Sequence, residues 1–338
     1  MAFVPDRRFE NLTEALEFIL NRYALRLSDR LWLETGSGLL IQDEVPQYLF
    51  RGECGDFETT KASTHRPGTY TLRDGAQLSA LDLQTLQVLI RDLARRFTKE
   101  DYSLDKRQAI GLLQHYGLPT FMVDFTGHLG YAFAFAAAGT SGVGRVAVVP
   151  TCALSATGRL VDLSNHSWTE RPRRQAAYGV ITTKELHDLK SEAARSQLNV
   201  SWYEFPVSDS DRSCLKGKSE KLVSLADDPS AGFLRFHITE YVEVRGKFSP
   251  ELTAWLIERV PIAPRCYRVR GFEAKDVVVN HCEAEVLPAF DEAAEAEHSR
   301  RYWSSAHHEC SRDRMKDWVW PPPQDSIVAD PRTYHPSL

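Results

Sequence analysis

A guanidinium at the end of a short apolar run can grip a phosphate with two parallel hydrogen bonds. In Tyr48-Leu49-Phe50-Arg51-Gly52-Glu53, Arg51 holds that position. The apolar residues before it predict a strand over 46–51, and the Gly52-Glu53 step predicts a turn that leaves the backbone open to a ligand. The plainer role is structural: Arg51 would pair with an internal carboxylate such as Asp124 and tie two elements together. His115 is the side chain type most easily tuned near neutral pH, so with Tyr116 it suits proton shuttling or stacking on a base, in competition with turn and core packing. Asp124 would orient Arg51 or His115, or cap the helix that follows; Thr126 is a second natural cap. His65 and Arg66 would add positive charge near Arg51, and Arg171, Arg173 and Arg174 form a small basic strip fit for a phosphate, a nucleic acid or a solvated loop. Two further clusters carry less. His307-His308-Glu309-Cys310 crowds metal-binding types together, but adjacent residues cannot all face one ion, so no metal is expected. Gly217-Lys218-Ser219 lacks the upstream glycine and strand of a phosphate-binding loop.

The elements that must hold these groups are set by residues 111–138. Gly117 can take the left-handed conformation that stops a helix, and Pro119 cannot continue one. A helix over 101–115 therefore ends at His115, and a second helix over 129–138 follows Asp124-Phe125-Thr126. The second helix has no charged residue and must be covered on nearly all sides. Gln114, His115, Tyr116, Asp124 and Thr126 are thus carried on a stiff support.

Gln114-His115-Tyr116-Gly117-Leu118-Pro119-Thr120, then Asp124-Phe125-Thr126, then the Ala/Phe-rich helix resembles the hallmark of the FRG domain family. Phe50-Arg51-Gly52 matches that family's early signature, and Arg173, Gln175 and Tyr178-Gly179-Val180-Ile181 match a third, weaker one, the three spanning about residues 12–185. Phe121 stands where the family usually has Arg, and Phe125 where it usually has Trp. The order of elements is also distantly similar to the ADP-ribosyltransferase fold. That likeness implies NAD gripped by Arg51, with Asp124-Phe125-Thr126 in place of a Ser-Thr-Ser strand. The catalytic Glu would fall near Gln175. A Gln offers only a neutral dipole to an oxocarbenium-like transition state. Glu283 and Glu285, in Glu283-Ala284-Glu285-Val286-Leu287-Pro288, resemble the transferases' Glu turn and are the substitutes, or else a solvated strand edge.

Composition sets the outer bounds. Of 338 residues, 43% are hydrophobic and 26% charged, ordinary for a globular chain with a sizeable core. A net charge of −5 gives no global attraction for nucleic acid, so such a contact needs a local patch. No run is long and apolar enough for a membrane span, and charge stands where a signal peptide is apolar, so no membrane partner and a cytoplasmic location are expected. Six cysteines far apart, without a CxxC pair, fit reduced structural thiols.

Along the chain, helical spacing predicts helices over 9–27, 78–97, 249–259 and 288–301. Strands are expected at 145–150, near 178–182, within 233–244, at 266–269 and at 277–279. Residues 31–41 read as a loop or short strand, 153–168 as irregular, and 186–231, rich in Ser, Asp and Lys, as exposed loop. The expected fold is α+β or mixed α/β: a small mixed sheet flanked by helices, transferase-like. Residues 1–185 form the core, 186–310 complete its sheet or pack as an accessory lobe, and 311–338 form a proline-containing tail. The leading function is an NAD or nucleotide site at Arg51, Gly52, His115, Tyr116, Asp124, Thr126 and Gln175, with ADP-ribosyl transfer or NAD hydrolysis as its chemistry. As the family's members resemble toxin or phage-defence effectors, such a role is implied. The alternative is a non-catalytic module that binds nucleic acid or a protein with the same cleft.

Overall fold

The computed structural model describes residues 3–25, 46–98, 104–156, 160–164, 170–182, 187–225 and 248–263, with single residues between 228 and 238. Seven strands form one mixed sheet: β1 (Arg7–Arg8), β2 (Tyr48–Glu53), β3 (Met122–Thr126), β4 (Val143–Pro150), β5 (Leu160–Asp162), β6 (Ala177–Ile181) and β7 (Ser201–Pro206). Their spatial order is β1-β7-β4-β2-β3-β6-β5, antiparallel throughout except for the β1–β7 pair. The α+β class is as expected. The strands expected at 46–51, 145–150 and 178–182 are present as β2, β4 and β6, and the sheet is wider than these three.

Alternation along the strands divides the core. Phe50, Val146, Val148, Tyr203 and Phe205 face α1 (Leu12–Arg22), while the apolar stripe of α2 (Ala80–Thr98) serves a separate helical core. That first face also carries the uncharged α4 (Leu129–Ala137), of which only Phe135 is not buried. On the opposite face, Leu49, Val123, Ala147, Val149 and Trp202 pack on α5 (Thr151–Ala156) and α7 (Glu192–Leu198). The helical core beside the sheet joins α2, α3 (Lys106–His115) and α9 (Pro250–Arg259) around Tyr116, Leu112 and Trp255. Each fully buried large apolar side chain contributes about 1.5–3 kcal/mol.

Caps explain where the helices begin. Asn11 accepts from the Glu14 amide, Asp105 and Gln108 form a capping box, and Ser249 accepts from Leu252 ahead of an N1 proline. The capping box at Asp105 starts α3 five residues later than the polar run from 101 suggested; residues 101–103 themselves lie outside the described stretch. At the other end of α3, Gly117 takes φ +89°. A Cβ there would also come within 2.7 Å of Pro261 Cδ.

Several readings are corrected. Gly52 and Glu53 do not turn; they continue β2 against Val146 and Arg145 of β4. Neither Asp124 nor Thr126 is the N-cap of α4: His128 is, and Thr126 Oγ1 instead accepts from its amide at 3.0 Å. Residues 153–168 include the end of α5 and all of β5. The 186–231 stretch is not mainly exposed loop. Its Ser191 and Ser208 are helix caps for α7 and α8 (Asp209–Val223), and β7 between them lies inside the sheet. Gly217-Lys218-Ser219 therefore sits within a helix. Within 233–244, the described residues Leu234, His237 and Ile238 are helical rather than extended. The calls on 31–41, 266–269, 277–279, 288–301 and the tail lie outside the described residues.

Gly52 has a packing cause. A Cβ on it would stand 1.9 Å from the Ala132 carbonyl oxygen, so β2 can lie against α4 only because this residue has no side chain. Gly52→Ala is expected to destabilise the fold by about 3 kcal/mol, the upper range of overpacking, read as a lowered midpoint in thermal or urea denaturation. An unchanged midpoint would refute the close approach.

Candidate functional site

β2 pairs with β4 over its whole length, but meets β3 only at Phe50 and Thr126. Just past that pair the two strands part, and Arg51 fills the gap. Its Nη1 donates to the Asp124 carbonyl oxygen at 2.8 Å, and its Nε donates to Glu53 Oε1 at 3.2 Å. The guanidinium thus satisfies a backbone acceptor that the single β2–β3 pair leaves unengaged. A hydrogen bond from a charged donor of this kind is worth about 1.5–3 kcal/mol.

Glu53 is the anchor on one side. Its side chain is only 5% exposed; Thr60 Oγ1 donates to Oε1 at 2.7 Å, and Lys190 Nζ lies 2.8 Å from Oε2. Burial pushes the Glu53 carboxyl up, but Arg51 and Lys190 outweigh it and hold the group below its ordinary value of 4.5. Lys190 is itself lowered by burial against the pull of Glu53. Its ammonium lies 4.8 Å from the ring centroids of Phe3 and of Trp202, and donates to the Phe57 carbonyl. Glu53 is therefore structural, an ion-paired carboxylate tying β2 to the 57–60 and 188–190 segments.

Asp124 stands on the other side and is open, its side chain 38% exposed. The Gln114 amide donates to Oδ1 at 2.5 Å, and the Thr120 hydroxyl donates to Gln114 Oε1, which fixes the orientation of that amide. His115 Nε2 lies 3.8 Å from the same Oδ1. The imidazole is held from behind: Nδ1 is 3.0 Å from Gln175 Oε1, while Gln175 Nε2 donates to the Leu222 carbonyl at 2.7 Å. With its amide so oriented, Gln175 presents an acceptor, so Nδ1 carries the proton and Nε2 keeps its lone pair. Nε2 has no hydrogen-bond partner among the described residues. Burial lowers the His115 pKa below 6.5; Asp124 and the Gln175 hydrogen bond oppose this and Arg171 adds to it. Two more guanidiniums belong to this site, Arg66 and, from α6 (Glu170–Arg174), Arg171. Burial lowers both Arg66 and Arg171 while Asp124 raises both, and Arg51 repels Arg66. The result is a polar cluster of one partly open carboxylate, three guanidiniums and a buried neutral imidazole.

Of the residues singled out from the sequence, the structure brings Arg51, His115 and Asp124 to this cleft, with Arg66 and Arg171. Gln175 and Thr126 form a layer behind it: Thr126 Oγ1 donates to the Gln175 carbonyl at 2.6 Å, and both are buried. Gly52 does not offer an open backbone, because it is packed on α4. Tyr116 is not placed to stack on a base. It is fully buried in the helical core, and its hydroxyl donates to Asp228 Oδ2 at 2.8 Å, the oxygen that also accepts the Arg171 amide at 3.0 Å. Glu283, Glu285 and His307-His308-Glu309-Cys310 lie outside the described residues, and among the described residues no group of three or more metal-ligating side chains is gathered. Sequence reasoning missed Lys190 and Asp228, and gave Gln114 and Thr120 no role. Gln114 and Thr120 bracket the helix-stopping Gly117 and Pro119, a sign that both point back into the same turn.

A mixed sheet whose β2–β3 ladder is interrupted by an arginine, with an acid and a buried imidazole supplied by the neighbouring strand and helix, defines an α+β domain with a polar site. Residues 46–142, a little under a third of the chain, match the family model of the FRG domain, and the chain carries an FRG domain over that stretch. Searches of curated proteins and of solved structures find no match. Among the described residues no helix is long and apolar enough to cross a membrane.

The buried histidines predict the acid response. Burial lowers His115, and it lowers His128 to about 3. The folded chain then binds fewer protons at these sites than the unfolded chain, so their contribution is complete above 6.5 and is lost as pH falls from there towards 3. Urea midpoints measured across that window should decline steadily, and His128→Phe should flatten the decline. A variant that loses stability as steeply as the parent would show that His128 is not buried in its neutral form.

Proposed function

We propose that the cleft between β2 and β3 binds an anionic nucleotide, NAD being the ligand we favour, with ADP-ribosyl transfer or NAD hydrolysis as its chemistry. The observation that carries this reading is the partly open Asp124, whose carboxylate acts electrostatically on Arg66 and Arg171 and whose backbone carbonyl is held by Arg51. Guanidiniums suit the pyrophosphate of such a ligand, and a held carboxylate suits a ribose hydroxyl or the positive charge that develops when a glycosidic bond to nicotinamide breaks. Asp124 is better suited to that electrostatic part than Gln175, which is neutral and occupied with His115. In this reading Arg51 keeps its Asp124 carbonyl bond and uses its remaining donors on phosphate, and neutral His115 is available to take a proton. The biological setting we favour is a toxin or phage-defence effector, on the resemblance of FRG-domain proteins to such effectors.

A second reading, a non-catalytic module that takes nucleic acid or a protein in the same cleft, is favoured by the state of Glu53. That carboxylate is ion-paired and buried, so the described part of the cleft has Asp124 but no second open acid beside it.

Calorimetric titration with NAD, run on the parent and on Arg51→Lys, tests the choice. Lys keeps the charge and most of the volume that fills the β2–β3 gap but loses the planar fork, so the variant should fold and bind NAD roughly tenfold or more weakly. Nicotinamide released by the parent, and strongly reduced in Asp124→Asn, would establish the catalytic form. A folded parent that does not bind NAD would sink the nucleotide reading and leave the second.

A further inference from the structure

A groove of about 580 Å³ lies beside the cleft, between α2, the start of α3 and the Pro119-Thr120-Phe121 turn. Its size is that of a small-ligand site. Its floor is apolar, built from Ile90, Ala94, Leu104 and Ile110, and Arg91, Arg95 and Lys106 add cationic groups to its lining, with no carboxylate among the described residues that line it. Phe121 also lines it, and at 38% exposure it is one of the few large apolar side chains left open to solvent among the described residues. Its backbone is fixed: the Phe121 carbonyl accepts from the Thr182 amide at 2.9 Å and from the Thr182 hydroxyl at 2.7 Å. An aromatic ring on a rigid support, over an apolar floor with cations about it, has the composition that receives a flat base and the phosphate attached to it.

The groove is also joined to the cleft. Thr64 lines it and donates from Oγ1 to the Thr120 carbonyl at 3.0 Å, while Arg66, two residues on, has Arg51 and Asp124 as its charged neighbours. Thr120, on the same wall, donates to Gln114, which holds Asp124. One short loop and one side-chain relay therefore run between the two spaces.

We infer that this groove is the second subsite of the cleft, taking the purine base of a dinucleotide on Phe121 and its adjoining phosphate on Arg91, Arg95 or Lys106. The inference rests on the nucleotide reading above, because it assigns the other half of the same ligand. Binding is to be measured by calorimetry with two half-ligands, ADP and nicotinamide mononucleotide, on the parent, Phe121→Ala, Arg91→Glu and Arg51→Lys. Phe121 and Arg91 are exposed, so both variants should fold, which circular dichroism checks. The expected result is that ADP binds the parent and is weakened roughly tenfold by either groove variant, while nicotinamide mononucleotide is unaffected by them and weakened by Arg51→Lys. ADP bound equally by the parent and both groove variants, or not bound by the parent, overturns the subsite. If in that case nicotinamide mononucleotide still binds in an Arg51-dependent way, the nucleotide reading stands without it; if neither half-ligand nor NAD binds, both readings fail.

Discussion

Arg51 stands where the sheet would otherwise close. β2 and β3 pair only at Phe50 and Thr126, and past that point a guanidinium, not a backbone amide, meets the Asp124 carbonyl. A charge set into a gap between strands must be balanced, or its desolvation would exceed what its hydrogen bonds return. Here Glu53 provides the balance, and because Glu53 is buried it needs Lys190 and Thr60 in turn. One substitution of a side chain for a ladder bond thus fixes the identities of residues on β2, on the 60 loop and at Lys190. Arg51 holds the Asp124 backbone from one side of the gap, while the partly open Asp124 carboxylate acts on Arg66 and Arg171, so the gap in the ladder and the polar site share one residue.

The neighbouring face is governed by close approach. Gly52 lets β2 touch the backbone of α4, and α4 in turn carries no charge and is buried almost all round. Alternation along a single strand therefore assigns opposite tasks to adjacent residues: Phe50 and Gly52 build the core against α4, while Arg51 and Glu53 on the other face form the ionic network. The composition of the Arg-Gly step promises an open backbone for a ligand, yet the glycine serves packing and only the arginine reaches polar partners.

That difference shows what was legible in the sequence. Signals that act locally were readable: Gly117 with its positive φ, the Ser249-Pro250 helix start, the charge-free α4 and the apolar β4 all appear as read. The polar residues Arg51, His115 and Asp124 were legible as candidates because each stands beside apolar residues, two within strands and one at a helix end. Ser- and Asp-rich chemistry was ambiguous, since the groups that favour turns also cap helices; Ser191 and Ser208 open α7 and α8 in a stretch that reads as loop. Partners far apart in sequence left no mark at all. Nothing local to Tyr116 announces Asp228, and nothing local to Glu53 announces Lys190, because those pairings are chosen by the folded chain alone.

The layer behind the cleft shows why residues beyond the FRG match matter to it. Leu222, on α8, accepts from the Gln175 amide; Gln175 then presents Oε1 to His115, whose Nε2 faces Asp124. Three elements from different parts of the chain decide the tautomer of one imidazole. A glutamate at 175 would put a second negative charge in a buried layer, hold His115 as imidazolium through that charge, and place a carboxylate against the Leu222 carbonyl with no donor between them. Glutamine avoids this: it supplies one acceptor and one donor, matched to the proton on Nδ1 and to the Leu222 oxygen, and leaves His115 neutral. An amide rather than a carboxylate at this position is then consistent with its depth in the fold. A buried amide sets the protonation of the histidine, and the negative charge of the cleft is carried one layer further out, by the partly solvated Asp124.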